Sequence, residues 1–172
     1  MHMEVAEKTS QTEAECPQCL AGNLGWLLAQ AHYALASELS NAFAPLGVSS
    51  RGYSVLAAAL TGEHTQIQLA DMVGLDKTTM VVTIDELEKA GLAKRLPSTT
   101  DRRARVIAVT KAGERKVAEG RKAVERLQTD VLGTLPAAER KVFVEALGKL
   151  VQTRLSEPVE CDPPLRRRER RA

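Results

Sequence analysis

The basic residues of this sequence are concentrated in one short stretch. Positions 89 to 105 hold six basic residues against one acidic residue, a local net charge of +5, whereas the whole chain carries +2. These residues are Lys89, Lys94, Arg95, Arg102, Arg103 and Arg105, with Asp101 as the acid. Because concentrated positive charge attracts phosphate groups, we expect this stretch to form a surface that faces nucleic acid.

A Cys-x-x-Cys pair, Cys16 and Cys19, is the second group that could do chemistry. Such a pair can act as a redox dithiol or supply half of a zinc site, which needs about four ligands. The other cysteine and histidine residues are Cys161, His2, His32 and His64. These are scattered, and Glu13 and Glu15 oppose the formation of a reactive thiolate. We therefore expect inert cysteines, with a redox switch as the less favoured alternative and metal binding as the least favoured.

Other classes of function lack their signatures in this sequence. There is no glycine-rich phosphate loop, and no paired carboxylates or Ser-His arrangement occurs in a recognisable context. No apolar run approaches the roughly 18 residues of a membrane span, and the acidic N-terminus is unlike a secretory signal. We predict a cytoplasmic protein that is not an enzyme and needs no cofactor.

The elements that would position the basic stretch are mostly helical. Aromatic residues are only 3% of the chain and hydrophobic residues 44%, which favours a globular, helix-rich protein. Apolar residues recur at helical spacing over about six turns from Leu20. Ser49 or Ser50 can cap a second helix, and Thr110 and Pro136 can begin two final helices.

Between these helices lies a compact unit with clear boundaries. Thr65 can cap a short helix over 66–73, and Gly74 supplies a turn that allows positive φ. Asp76 can then cap a helix over 77–90. Two short helices joined by a glycine-containing turn form a helix-turn-helix.

The residues after the second of these helices predict a β-hairpin. Residues 92–96 and 105–109 read as strands, the second with alternating side chains, and 97–101 have turn chemistry. A hairpin in this position is a wing. The predicted fold class is therefore mainly α, a winged helix-turn-helix with a two-stranded wing and flanking N- and C-terminal helices.

The faces of the helix over 77–90 can be assigned from its periodicity. The spacing predicts a buried face of Met80, Thr83, Ile84 and Leu87. It predicts an outward face of Lys77, Thr78, Val81, Val82 and Asp85. Lys77, Thr78 and Thr79 can bond phosphates or bases, and two exposed valines suit contact with thymine methyl groups in the major groove. The alternative is a slightly rotated helix in which one valine joins the core.

The wing carries the second set of candidate DNA contacts. Asp101 can hold one of its neighbours Arg102, Arg103 and Arg105 so that another projects into the minor groove, whose negative potential attracts a guanidinium. The alternative is that these four charged residues are an ordinary run of charges that faces solvent. The position directly after a helix-turn-helix favours DNA contact.

At these motifs the sequence resembles the MarR family of bacterial transcription regulators, over roughly residues 20 to 155. The motifs are Gln68-Leu69-Ala70, Gly74-Leu75-Asp76-Lys77-Thr78-Thr79, Leu87-Glu88-Lys89-Ala90-Gly91-Leu92, Asp101-Arg102-Arg103 and Val109-Thr110-Lys111-Ala112-Gly113. The resemblance implies a homodimer built by the first and last two helices. It also implies pseudo-palindromic operators and repression that a small ligand or oxidation relieves.

The resemblance further implies roles for single residues. Arg103 matches the minor-groove arginine, with Asp101 as its positioning partner. Thr78, Thr79, Val81 and Val82 match positions that contact DNA. A polar or basic residue is commoner at Val82, which leaves the base preference open but not DNA binding.

A ligand site is implied between the dimer scaffold and the DNA-binding lobe. Its candidate residues are Trp26, His32, Tyr33 and Tyr53, with Arg51 as a partner for an anionic ligand. The ligand would be small and aromatic or anionic. Each of these side chains could instead serve core or interface packing.

The predicted organisation is a single domain over 20–156, with a flexible tail over 1–19 and a disordered basic tail over 157–172. Residues 50–110 form the DNA-binding lobe, and 20–45 and 111–156 the dimerisation helices. The predicted partners are a double-stranded DNA operator and a second copy of the chain, with no membrane. A non-specific or architectural nucleic-acid binder, or a winged helix used for protein contact, is the alternative.

Overall fold

The computed structural model describes residues 20–99 and 103–156. Over these residues the chain forms six α-helices and one antiparallel hairpin, as the sequence predicts. The elements are α1 (Leu24–Phe43), a 3₁₀ helix (Ala44–Leu46), α2 (Ser50–Ala59), α3 (Gln66–Val73), α4 (Lys77–Lys89), β1 (Ala93–Pro97), β2 (Arg105–Val109), α5 (Lys111–Gly133) and α6 (Ala137–Gln152). The chain divides into two compact units, of which the first ends at Ala123 and the second begins at Val124, within α5.

Side-chain caps begin the helices of the helix-turn-helix at the predicted residues. Thr65 and Gln68 form a reciprocal capping box at the start of α3. Asp76 begins α4, where its Oδ1 accepts a hydrogen bond from the N–H of Thr79 at 2.8 Å. Gly74 ends α3 with φ of 66°, the left-handed conformation that glycine adopts without steric cost. Local chemistry thus sets the turn between the two helices.

Two helix starts differ from the predictions. α1 begins at Leu24 rather than Leu20, because Asn23 caps it by accepting a hydrogen bond from the N–H of Trp26 at 2.9 Å. α6 begins at Ala137, and Pro136 is its N-cap residue rather than part of the first turn. Apolar spacing locates a helix but does not show at which residue the helix begins.

The hairpin is held along both edges of β2. β1 lies one residue later than the predicted 92–96 and pairs with β2 along its length. On the other edge, Thr65 forms an antiparallel bridge with Val106, and the carbonyl of His64 accepts from the N–H of Ile107 at 3.0 Å. Val106 and Ile107 are both buried, so the strict alternation predicted for β2 is not kept. We attribute this to the central position of the strand.

The core of the first unit lies between its helices and the hairpin. Its largest fully buried side chains are Phe43, Val55, Leu56, Leu69, Met80, Thr83 and Ile84. The ring of Phe43 lies 5.1 Å from that of Tyr53, between centroids. Gly120 of α5 backs onto this pair, since a Cβ there would lie 2.5 Å from Tyr53 Cδ2 and 2.9 Å from Phe43 Cε1. The close approach of α5 therefore requires glycine.

The second unit contains the end of α5 and all of α6. Arg140 donates to the carbonyls of Leu135 at 2.9 Å and Gly133 at 3.2 Å, which satisfies carbonyl groups left unpaired where α5 ends. No residue of α6 is buried. Its large exposed apolar side chains are Val142, Phe143, Val144, Leu150 and Val151.

Candidate nucleic-acid interface

α4 has the two faces that its periodicity predicts. Met80, Thr83, Ile84 and Leu87 are buried, and the hydroxyl of Thr83 donates to the carbonyl of Thr79 at 2.7 Å. A buried hydroxyl without a partner would destabilise the fold, and this bond removes that cost. The orientation of α4 is therefore fixed by its buried side.

The opposite side of α4 presents both valines to solvent. Val81 is 41% exposed and Val82 is 50% exposed, which excludes the rotated helix with one valine in the core. Lys77 and Thr78 are also exposed. Thr79 is half-buried, and its hydroxyl donates to Asp76 Oδ2 at 2.8 Å, so it also stabilises the cap. The N-terminal half of α4 thus offers a cation, a hydroxyl and two aliphatic side chains.

The wing extends from the same unit beyond the end of α4. Pro97 pairs with Arg105, and the N–H of Ser98 donates to the carbonyl of Ala104 at 3.0 Å, which prolongs the hairpin by one step. Arg103 and Arg105 are exposed. The predicted contacts Asp101 and Arg102 lie outside the described residues.

Arg95 does not belong to the basic surface. Its guanidinium on β1 is turned back onto α4, where Nη2 bonds Asp85 Oδ1 at 2.7 Å and Nη1 bonds Glu88 Oε2. The N–H of Arg95 also donates to Glu88 Oε1 at 2.7 Å, and Gln66 of α3 lies 3.4 Å from Nη2. The side chain is 29% exposed. Its positive charge is thus neutralised within the protein, contrary to the expectation for residues 89–105.

The charge state of Arg95 follows from these neighbours. Burial acts to lower its pKa, but the hydrogen bond that Arg95 donates to Asp85 and the charge of Glu88 outweigh burial, and the pKa of Arg95 is raised. The guanidinium stays charged. Because Asp85 and Glu88 lie on the helix that carries Val81 and Val82, the network ties the wing to the exposed face of α4.

A second set of hydrogen bonds joins the wing to the loop between α2 and α3. Glu63 Oε2 accepts from the hydroxyl of Ser98 at 3.0 Å and from the N–H of Thr99 at 3.1 Å. Hydrogen bonds from the side chain and backbone of Thr99, with a lesser one from Ser98, outweigh the opposing effect of burial and lower the pKa of Glu63. The carboxylate is therefore held in its charged form.

Sequence reasoning missed the roles of Arg95 and Glu63 for one reason. Each side chain bonds residues of an element other than its own. Only the formation of the hairpin and its packing against the helices bring these partners together. Glu63 and Ser98 are 35 residues apart. The acidic residues Asp85 and Glu88, which precede Arg95 by ten and seven positions, were the one available signal for its ion pairs.

The candidate ligand residues lie on α1 and α2. Tyr53 packs against Phe43, in keeping with the packing alternative. Trp26 is half-buried, whereas His32, Arg51 and Tyr33 are exposed, Tyr33 to 77%. The redox candidates Cys16 and Cys19 lie outside the described residues.

Two further observations concern the described chain alone. Within residues 20–99 and 103–156, no group of three or more His, Cys, Asp or Glu side chains is placed to hold a metal ion. No helix in the same ranges is both long and apolar enough to cross a membrane.

This geometry is similar to that of known proteins. The MarR family model matches residues 59–104, from the end of α2 to the wing. CouR from Rhodococcus jostii RHA1, in a structure with p-coumaroyl-CoA, is 28% identical with a TM-score of 0.72, over 84% of this chain and 100% of that one. A MarR-family transcriptional regulator from Rhodococcus sp. RHA1 is 26% identical with a TM-score of 0.71, over 80% and 99%.

A third similar structure contains nucleic acid. It is the transcriptional repressor CouR bound to a 23-mer DNA duplex, 25% identical with a TM-score of 0.67, over 74% of this chain and 92% of that one. Residues 59–104 of the present chain therefore carry the MarR-family signature, and its described part has the winged-helix fold of the MarR-family transcriptional regulators.

Proposed function

We propose that this protein is a homodimeric, sequence-specific DNA-binding repressor of transcription. The N-terminal half of α4 enters the major groove and the wing contacts the adjacent minor groove. The major-groove contacts are Lys77, Thr78, Thr79, Val81 and Val82. The wing contacts are Arg103 and Arg105, together with Asp101 and Arg102 from the sequence prediction.

One observation carries this proposal. Val81 and Val82 are adjacent, aliphatic and exposed, on a helix whose opposite face is fully buried. Exposed valines cost solubility and give nothing to the core, whereas thymine presents a methyl group in the major groove that aliphatic side chains recognise. Lys77 and Thr78 beside them supply polar contacts. CouR, with the same fold, has been captured on a DNA duplex.

Dimerisation is supported separately by α1 and by α6. Phe43 is the only buried residue of α1 among its described positions, and Leu24, Leu27, Tyr33 and Leu35 are at least 40% exposed. The apolar residues of α6 are exposed in the same way. Soluble monomers rarely leave large apolar surfaces in water. A second copy of the chain would cover them and place two α4 helices about one turn of DNA apart.

Release from DNA by a small molecule completes the proposal. CouR has been captured with p-coumaroyl-CoA, an aromatic and anionic compound. In the present chain, Trp26, His32, Tyr33 and Tyr53 offer aromatic contacts and Arg51 a cation on α1 and α2. A ligand relieves repression if it binds better to the dimer geometry that does not fit DNA.

Selection of bound duplexes from a random library tests the function. We expect a pseudo-palindrome whose half-sites recur about 10 base pairs apart, centre to centre. Repeating the binding at rising salt separates specific from non-specific binding, because salt weakens the phosphate contacts on every sequence. A specific repressor keeps its preference for the selected duplex. An architectural binder loses affinity for all duplexes together, and a protein-binding winged helix yields no enriched sequence.

The redox alternative has a direct test. If Cys16 and Cys19 sense oxidants, peroxide releases the wild type from the selected duplex but leaves a Cys16→Ser, Cys19→Ser variant bound. An identical response of both proteins would remove this alternative.

A further inference from the structure

Glu63 accepts hydrogen bonds from the wing at the point where β1 ends. One carboxylate oxygen, Oε2, accepts from both the hydroxyl of Ser98 and the N–H of Thr99, at 3.0 Å and 3.1 Å. Ser98 is 8% exposed, and its own N–H continues the hairpin by donating to Ala104. Glu63 therefore binds Ser98, the residue at which the hairpin makes its last cross-strand hydrogen bond within the described chain.

The loop that carries Glu63 is itself fastened to the other strand. His64 and Thr65 pair with β2 at Ile107 and Val106. The side chains of Thr61 and His64 lie 2.8 Å apart and brace the loop. These backbone bonds hold the middle of β2 but do not reach the end of β1. The side chain of Glu63 makes the contact with the end of β1. The loop between α2 and α3 therefore contacts both strands of the hairpin.

We propose that Glu63 is a positioning residue for DNA binding: it sets the direction in which the wing leaves the protein, and through it the place of Arg103. The inference rests on the proposed function, because it concerns the wing contact with the minor groove. Glu63 touches no DNA in this account. It acts through Ser98 and Thr99.

Whether DNA affinity rises or falls when the charge of Glu63 is removed distinguishes this role from simple electrostatic repulsion. A carboxylate beside a DNA-binding surface repels phosphates, so its removal alone strengthens binding. If Glu63 positions the wing, its removal weakens binding instead. Asp71 provides a matched control, since it is an exposed carboxylate on α3 of the same unit.

The experiment measures affinity for the selected duplex by the wild type and five variants, one of them double. We expect Glu63→Ala to bind about three- to tenfold more weakly, the range of one to two lost hydrogen bonds. Glu63→Gln keeps an acceptor oxygen and lies between Glu63→Ala and wild type. Asp71→Asn binds as tightly as wild type or more tightly. In the Arg103→Ala background, Glu63→Ala changes affinity by less than about twofold, because coupled residues are not additive.

Three results would overturn the inference. Glu63→Ala could strengthen binding as Asp71→Asn does, which would reduce Glu63 to a repulsive charge. It could weaken binding by the same factor with and without Arg103, which would show that it does not act through that arginine. A wild type that fails to discriminate the selected duplex from a scrambled one would overturn the proposed function together with the inference. Thermal unfolding of each variant confirms that affinity is compared between folded proteins.

Discussion

Arg95 of the wing and Glu88 of α4 are joined by two separate contacts. The guanidinium of Arg95 pairs with one oxygen of the Glu88 carboxylate, and the N–H of the same residue donates to the other oxygen at 2.7 Å. A bond that uses both backbone and side chain fixes the strand as well as the arginine. These contacts hold the wing against α4, and in the proposed function the two elements would meet DNA as one surface.

Replacing Arg95 should loosen this surface. We expect Arg95→Ala to lower the free energy of unfolding by about 1–2 kcal/mol, between the values for a surface ion pair and for a charged hydrogen bond, because the side chain is partly exposed. Affinity for the operator should fall as well. Urea unfolding and DNA titration measure the two effects.

The control for Arg95 is its exposed neighbour on β1, Lys94. Lys94→Ala removes the same charge from the wing, and we expect it to leave the unfolding free energy within about 0.5 kcal/mol of wild type. Equal destabilisation by the two substitutions would show that the network contributes nothing beyond charge.

The valine pair should make binding sensitive to the thymine methyl group. Replacing half-site thymines by uracil removes only that group and should weaken wild-type binding about fourfold, the value of one buried CH₂. In Val81→Ala or in Val82→Ala the penalty for uracil should disappear. Ile67→Ala, a change at an exposed apolar residue of α3, should retain it. If both valine variants keep the full penalty, the valines do not read thymine.

The hydrogen bonds of Glu63 should give the wing a defined pH dependence. Since its pKa in the folded protein is lowered, these bonds contribute fully above the ordinary pKa of glutamate and are lost as the pH falls through the lowered value. An NMR titration should show the Thr99 amide following the Glu63 carboxyl, with a midpoint below the ordinary range. Thr99→Ala should raise the pKa of Glu63, and an unchanged midpoint would contradict this assignment.

Gly120 should tolerate no side chain. A Cβ there meets the rings of Tyr53 and Phe43, and overpacking of this kind costs about 1–3 kcal/mol. Gly120→Ala should therefore lower the melting temperature. Gly133→Ala is the control, because a Cβ at that end of α5 meets nothing within 4 Å. Equal melting temperatures for the two variants would show that α5 does not approach as described.

Much of this surface could be predicted from the sequence because its determinants are local. The caps at Thr65 and Asp76 and the turn at Gly74 depend on neighbouring residues. The outward direction of Val81 and Val82 depends only on helical periodicity. The winged-helix fold, predicted from these elements and implied also by the family resemblance, is confirmed by the similar structures.

The remainder depends on tertiary register, which local patterns do not contain. Arg95 was counted in the basic stretch expected to face nucleic acid, because its charge was visible and its partners on α4 were not. Glu63 had no signal, since its partners Ser98 and Thr99 follow β1 and only the folded hairpin brings them near. The start of α1 was misplaced for a smaller reason, since Asn23 caps the helix within a run whose apolar spacing continues on both sides.

The spacing of the two half-sites tests the central claim most directly. Affinity is measured for the selected operator and for the same half-sites moved apart by about five base pairs, which turns one half-site to the opposite face of the duplex. A dimer with two fixed recognition helices should lose tight binding to the lengthened duplex and recover part of it at about ten base pairs. Equal affinity for all three duplexes would contradict a dimeric repressor that binds both half-sites at once.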